Sequence, residues 1–242
     1  VFGVLAAAPL ALWRLDPATL TPRAWGWPAL AGVLQGAYFT LLGKAYARGD
    51  LSLVYPLARG GGVAFAAASS AWFFDDPLST TALGGIAAVC VGTVLLGWGG
   101  RGADRVGVGL ALAVAVTLGV GTTTDKLAMG DLDPAVYAVG QFTAAIFIAA
   151  PRALGAKREL VVRAAREHAA GALAIGVLSL LSYGLALLAF RAGSLAMAVA
   201  LRESAVVFGA AIGVLVFGER MTGRRGAGLT AVIAGLVLLR LA

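Results

Sequence analysis

Three ionisable side chains interrupt stretches that are otherwise apolar: Arg59 in VYPLARGGGVAF, and Arg202 with Glu203 in AVALRESAVVFG. A charge at the centre of a lipid-embedded helix costs about 2.5–3.5 kcal/mol on insertion scales, so each needs a partner, a wet cavity or a route to the surface. These residue types suit recognition of an anion. A guanidinium binds a carboxylate or phosphate through paired N–H donors, and Glu203 beside Arg202 supplies a counter-ion or a proton acceptor. Tyr55 in the YPLARG motif and Ser204 after Glu203 add hydroxyls to the same neighbourhood. The solute bound this way is anionic or zwitterionic. The competing reading is an Arg–Glu network that only ties helices together, or arginines that snorkel to the nearer interface.

A second polar group ends another apolar stretch: Thr122, Thr123, Thr124, Asp125 and Lys126. It suits a solute or a coupling proton at a cavity mouth, with Asp125 and Lys126 as coupling or gating groups. A solvated helix end carrying a local ion pair is the alternative. Tyr38, Gln141 and Tyr183 are read as hydrogen-bonding lining of the cavity, although tyrosines serve packing equally well. Gly61, in the run Gly60-Gly61-Gly62 beside Arg59, is a candidate bend for gating, with close helix packing as the plainer use. Lys44 lies within two turns of a helix exit and snorkels. Asp75 and Asp76 form a diacid without a third carboxylate, and His168 is the single histidine, so no metal site is expected. No catalytic residue and no cofactor are expected either. A phosphate-binding GxxxxGK[ST] loop is absent from the sequence, which sets direct ATP coupling aside.

The elements that must position these groups follow from composition. Of 242 residues, 60% are hydrophobic and 13% charged, with mean hydropathy +0.90, which excludes an ordinary soluble globule and indicates an all-α polytopic membrane protein. The net charge of +7 resides in short loops, as at membrane edges facing anionic lipid, so nucleic acid is excluded as a partner. Cys90 is alone inside an apolar stretch, so there is no disulfide framework. Trp13, Trp25, Trp27, Trp72 and Trp98 lie near span ends, where interfacial belts form. Spans are predicted over Trp25–Tyr46, Leu53–Phe74, Thr80–Trp98, Val106–Met129, Pro134–Ala150, Ala169–Phe190, Leu195–Phe217 and Gly226–Leu241. Val1–Leu12 reads as the end of a ninth, and no basic leader of a signal peptide precedes it.

The chain repeats itself. Val54–Leu96 and the segment 143 residues later share 13 of 43 residues, including Arg59 with Arg202, Gly85 with Gly228 and Gly92 with Gly235. Asp76 falls on Glu219, and Ser79 on Thr222; the two hydroxyls are predicted N-caps of the helices that follow. Gly32 and Gly36, like Gly209 and Gly213, have the GxxxG spacing of closely packed membrane helices. An odd number of crossings, five, separates Arg59 from Arg202, so the two copies run in opposite directions through the bilayer. The expected organisation is a pair of inverted five-helix repeats, 1–99 and 105–242, the first lacking its initial helix. Rocking one copy against the other exposes a central site to each side in turn, which is the geometry of alternating access.

The motifs YPLARG (Tyr55–Gly60), TTTDKLA (Thr122–Ala128), ALRESAVVFGAAIGVLVFGER (Ala200–Arg220) and GLTAVIAGLVLL (Gly228–Leu239) carry a family resemblance. Over nearly its whole length the chain resembles the EamA-type carriers of the drug/metabolite transporter superfamily, N-terminally truncated. The resemblance implies ten helices in two inverted halves around a central cavity, in a cell inner membrane. It also implies transport of amino acids, metabolites or toxic compounds. The expected partners are a small-molecule substrate, the lipid bilayer and, as an option, a second copy in a homodimer. A membrane-embedded enzyme and a non-transporting partner subunit are the alternatives, and scattered carboxylates with a lone histidine argue against the enzyme. Loop charges, split 11 to 5, place the C-terminus outside, whereas the resemblance places both termini in the cytoplasm, so orientation stays open.

Overall fold

A computed structural model describes residues 2–19, 21–48, 51–74, 78–97, 105–155, 159, 163, 167–215 and 222–241. Among the described residues the regular elements are all helical, so the fold class is all-α. In chain order they are α1 (Phe2–Arg14), a short 3-10 turn (Pro17–Thr19), α2 (Pro22–Tyr46), α3 (Leu51–Phe73), α4 (Thr80–Gly97), α5 (Arg105–Ala128), α6 (Pro134–Gly155), α7 (Ala169–Ala192), α8 (Leu195–Arg202), α9 (Ser204–Leu215) and α10 (Gly223–Leu241).

Helix starts follow local chemistry. Ser79 Oγ accepts the N–H of Ala82 at 3.1 Å, and Thr222 Oγ1 that of Arg225 at 3.3 Å, so both predicted caps form. Thr21 caps α2 in the same way, with Pro22 in the first helical position, where its missing N–H costs nothing. Asp133 and Pro134 open α6 likewise, the Asp133 carboxylate accepting from Ala135 N–H at 2.9 Å.

Two boundaries differ most from expectation. The single span expected over Leu195–Phe217 is broken at Glu203, whose N–H bonds to Ala200 O at 3.0 Å in a tightened turn between α8 and α9. Helix α6 continues past Ala150 to Gly155, running through Pro151 into the good helix formers Arg152, Ala153 and Leu154. Asp75, Asp76 and Glu219 lie outside the described residues, as do the side-chain surroundings of Gly209 and Gly213.

The helices gather in two compact units, each drawn from both halves of the chain. Unit 1 is Val1–Gly36 with Thr124–Ala192, and unit 2 is Ala37–Thr123 with Gly193–Ala242. In unit 1, α1 packs on α6 and α7, and α6 on α7. Gly32 and Gly36 face Ala144 and Ile148, one turn apart; a Cβ on Gly36 would stand 2.9 Å from Ile148 Cγ2. Trp27 Nε1 donates to Asp131 Oδ2 at 2.7 Å, fixing the start of α2 to the turn before α6.

Two described helices, α5 and α7, are 24 residues each and apolar enough to cross a membrane. At about 1.5 Å per residue they exceed the ~30 Å hydrocarbon core. Helix α7 has a window of mean hydropathy 2.2, yet Leu173, Ile175, Leu178, Leu181 and Leu185 face outward. Water would penalise that surface and lipid would not.

In unit 2, α4 lies along α10 and α3 packs on both α4 and α8. The α4–α10 contact is nearly backbone on backbone. A Cβ on Gly85 would stand 2.8 Å from Gly235 O, and one on Gly92 would stand 2.6 Å from Gly228 O. Since 85 meets 235 while 92 meets 228, the two helices are antiparallel. Ala45, Val54 and Ala111 form a buried cluster with Leu42, Leu57 and Leu110 where α2, α3 and α5 meet.

Candidate functional site

Helices α3 and α8 run antiparallel in unit 2, tied at two levels. Toward the C-terminal end of α3, Ser70 Oγ lies 3.2 Å from Ser194 Oγ and also accepts the N–H of Ala196 at 3.4 Å. Ser194 forms no capping bond with its own hydroxyl, so Ser70 supplies the cap of α8 from the neighbouring helix. Nearer the start of α3, Arg59 Nη2 stands 2.8 Å from Glu203 Oε1, with the two side chains 16% and 3% exposed. The break at Glu203 places this carboxylate at the hinge of α8 and α9, aimed across to α3 rather than along its own helix.

Around the ion pair is a cavity of about 20 Å³ lined by Arg59, Gly62, Val63, Leu118, Thr122, Val199, Arg202 and Glu203. That volume holds one water and no solute. Arg202 and Ser204 are half-buried beside it. Glu203 Oε2 is buried, with no hydrogen-bond partner among the described residues. Behind Arg59, the Cys90 thiol donates to Gly60 O at 3.4 Å, and Gly61 meets α5 so closely that a Cβ would stand 2.7 Å from Ala115 Cβ. Helix α3 runs unbroken through the three glycines.

The remaining sequence-derived candidates divide between the units. Asp125, Gln141 and Tyr183 belong to a buried network in unit 1. There Tyr137 donates its hydroxyl to Asp125 Oδ1 at 2.7 Å, Tyr183 donates to Gln141 Oε1, and the Phe142 ring stands edge-on to Tyr183 at 5.4 Å. Asp125 is therefore an interior group rather than a solvated helix end, only 4% exposed. Thr122 and Thr123 return their hydroxyls to Gly119 O on their own helix, at 3.0 and 2.9 Å. Lys126 is half-buried. In unit 2, half-buried Tyr38 sets its ring against Phe39 at 5.2 Å. The side chain of Tyr55 lies outside the described residues.

Sequence reasoning missed Tyr137 and the Ser70–Ser194 tie. The first had a signal: Asp125 and Tyr137 stand six residues on either side of Asp131, the spacing that faces residues across a helical hairpin. The second had none, since two serines 124 residues apart carry no mutual mark. Among the described residues no group of three or more His, Cys, Asp or Glu is placed to hold a metal. A wider groove of about 420 Å³ in unit 1, between α1, α6 and α7, is apolar except for Arg14 and Asp133 at its rim, 4.0 Å apart.

A solved crystal structure 17% identical in sequence superposes with a TM-score of 0.74 over 99% of this chain and 84% of its own, which establishes a shared fold. No curated protein matches the chain. Residues 105–241 match the EamA-like transporter family. Family members are membrane-embedded transporters of small molecules rather than enzymes. That match spans more than half of the sequence, and the chain belongs to the EamA-like transporter family, within the drug/metabolite transporter superfamily.

Proposed function

We propose that the protein is a multi-pass secondary carrier of the cell inner membrane. It moves anionic or zwitterionic metabolites, amino-acid-like solutes among them, by alternating access, and works without nucleotide, metal or nucleic acid. The observation that carries this reading is the buried Arg59–Glu203 pair beside Arg202, where α3 crosses α8. An intramembrane charge cluster at a cavity is a solute site by default.

The α4–α10 contact supports inverted repeats over 1–99 and 105–242. Gly85 corresponds to Gly228 and Gly92 to Gly235, so the contact of Gly85 with Gly235 becomes, on exchanging the copies, that of Gly228 with Gly92, which is also present. Val89 and Val232, again equivalent, exchange in the same way against Gly235 and Gly92. Equivalent helices that meet antiparallel about a local two-fold belong to copies of opposite orientation. A 20 Å³ space around the guanidinium is a closed site, and a solute enters when α3 and α8 part.

Counterflow uptake in proteoliposomes against a labelled metabolite pool tests the carrier reading. A carrier exchanges label without turnover; an enzyme or a silent partner subunit does not. Arg202→Ala abolishes the exchange while the protein keeps its monodisperse gel-filtration profile, or that of a homodimer. Unchanged exchange would remove Arg202 from the site.

A further inference from the structure

We propose that Glu203 is the proton-carrying group of this carrier: its carboxylate holds the place on Arg59 that an anionic group of the solute takes once Glu203 is protonated. This rests on the carrier reading above. One carboxylate oxygen is committed to Arg59 at 2.8 Å, and the other is buried with no hydrogen-bond partner among the described residues. Buried polar atoms without a partner are few, and each calls for an account such as a water, an ion or a functional role. The cavity that Glu203 lines has room for a single water, which excludes any solute as that ligand in this conformation. A metal ion is excluded by chemistry. Hard cations require several oxygen ligands, and the lining offers two guanidiniums and one further oxygen-bearing side chain, Thr122, already bonded to Gly119 O. What remains is a water in the cavity or a proton on the carboxylate, and only the proton changes the charge of the site.

The charged and titratable groups around Glu203 can be named element by element. Helix α3 contributes Arg59 at contact distance, and Arg202 precedes Glu203 on α8. Helix α4 contributes Cys90, whose thiol donates to Gly60 O next to Arg59. Helix α5 lines the same cavity with Leu118 and Thr122, and its ionisable residues are Arg105, Asp125 and Lys126; helix α9 contains none, and those of α10 (Arg224, Arg225 and Arg240) are confined to its first and last turns. Arg59 is the hydrogen-bonded partner of Glu203, and Arg202 is a second cation lining the same cavity. A solute anion arriving at Arg59 replaces one negative charge by another and strands the Glu203 carboxylate in a low-dielectric site, where it takes up a proton.

The step balances. A proton from water adds to Glu203, the Arg59–Glu203 pair opens, and the anion X⁻ takes the guanidinium. The loaded site then has the charge of the empty one. On the far side the proton and X⁻ leave together and the pair re-forms, so one proton accompanies each anion transported. By reciprocity the apparent affinity for X⁻ rises about tenfold per unit fall in pH while Glu203 titrates.

The test uses the full chain in proteoliposomes containing a pH dye, with labelled glutamate, succinate and inorganic phosphate as separate probes. With acid outside, the wild type accumulates any probe it exchanges and the lumen acidifies in step. Glu203→Gln shows neither response, whatever exchange it retains. Exchange by the wild type without pH-driven accumulation, or accumulation by Glu203→Gln, would overturn the proposal and leave the carrier reading intact. Failure of every probe to exchange counts against the carrier reading instead, and infrared spectra then judge Glu203 alone. In lipid nanodiscs at neutral pH, Arg59→Gln imitates neutralisation by an anion and shows a protonated-carboxyl C=O band. That band is lost in Arg59→Gln/Glu203→Gln and kept in Arg59→Gln/Asp125→Asn; its absence from Arg59→Gln refutes proton uptake at Glu203.

Discussion

Ser70 Oγ lies 3.2 Å from Ser194 Oγ, joining the C-terminal end of α3 to the N-terminal end of α8 about three turns from the Arg59–Glu203 pair on the same two helices. A carrier that exposes its site by parting these helices must break this tie in each cycle. With Cys90 replaced by alanine, Ser70→Cys/Ser194→Cys is expected to form a disulfide under mild oxidation, seen as a mobility shift on non-reducing gels. Oxidation stops counterflow and reductant restores it. Full exchange by the cross-linked protein would show that α3 and α8 stay together throughout transport.

The α4–α10 seam is expected to reject any side chain on its glycines. A Cβ on Gly235 meets Gly85 O at 2.6 Å and Val89 N at 2.9 Å, and these are backbone atoms that cannot swing aside. Gly235→Val and Gly92→Val each lower stability by about 1–3 kcal/mol or more, read as a fall in detergent-solubilised Tm. Similar losses are expected because a Cβ on Gly92 meets backbone as closely, at 2.6 Å from Gly228 O and 2.7 Å from Val232 N. Gly84, with nothing within 4 Å of its Cβ direction, is the control. Gly84→Ala is neutral or stabilising by up to about 1 kcal/mol through helix propensity.

Tyr137 donates its hydroxyl to Asp125 Oδ1 at 2.7 Å in a buried setting. Tyr137→Phe removes the donor at nearly constant volume and costs about 1–3 kcal/mol, the usual loss when a buried polar group loses one partner. Asp125→Asn in the same background is expected to cost less than in the wild type. Thermal unfolding of the two single variants and the double variant gives the coupling directly. Strict additivity would mean that the hydrogen bond contributes nothing to the fold.

Much of the site was readable without coordinates because lipid makes polar residues conspicuous. Arg59, Arg202 and Glu203 stand out in apolar runs, and α3 and α8 bring all three to one cavity. The caps Ser79 and Thr222 and the glycines Gly32 and Gly36 were also legible, since each acts within a turn or two of its own helix or marks a face that must approach a neighbour. The sequence left open which arginine Glu203 neutralises, and that is where local reasoning stops. Neighbours on a helix point about 100° apart, so adjacent residues do not face each other.

The sequence by itself determined which residues are apolar enough for lipid, where helices begin, and that two segments align with an arginine at equivalent places. Those are properties of composition, local hydrogen bonding and repetition. Tertiary structure alone decided that Glu203 turns to Arg59 across the α3–α8 crossing, that Ser70 caps another helix, and that Asp125 is held by Tyr137 in the interior. Each of those depends on which helix faces stand opposite one another. That is settled by the packing of glycine-lined seams over long sequence separations, which no local pattern records.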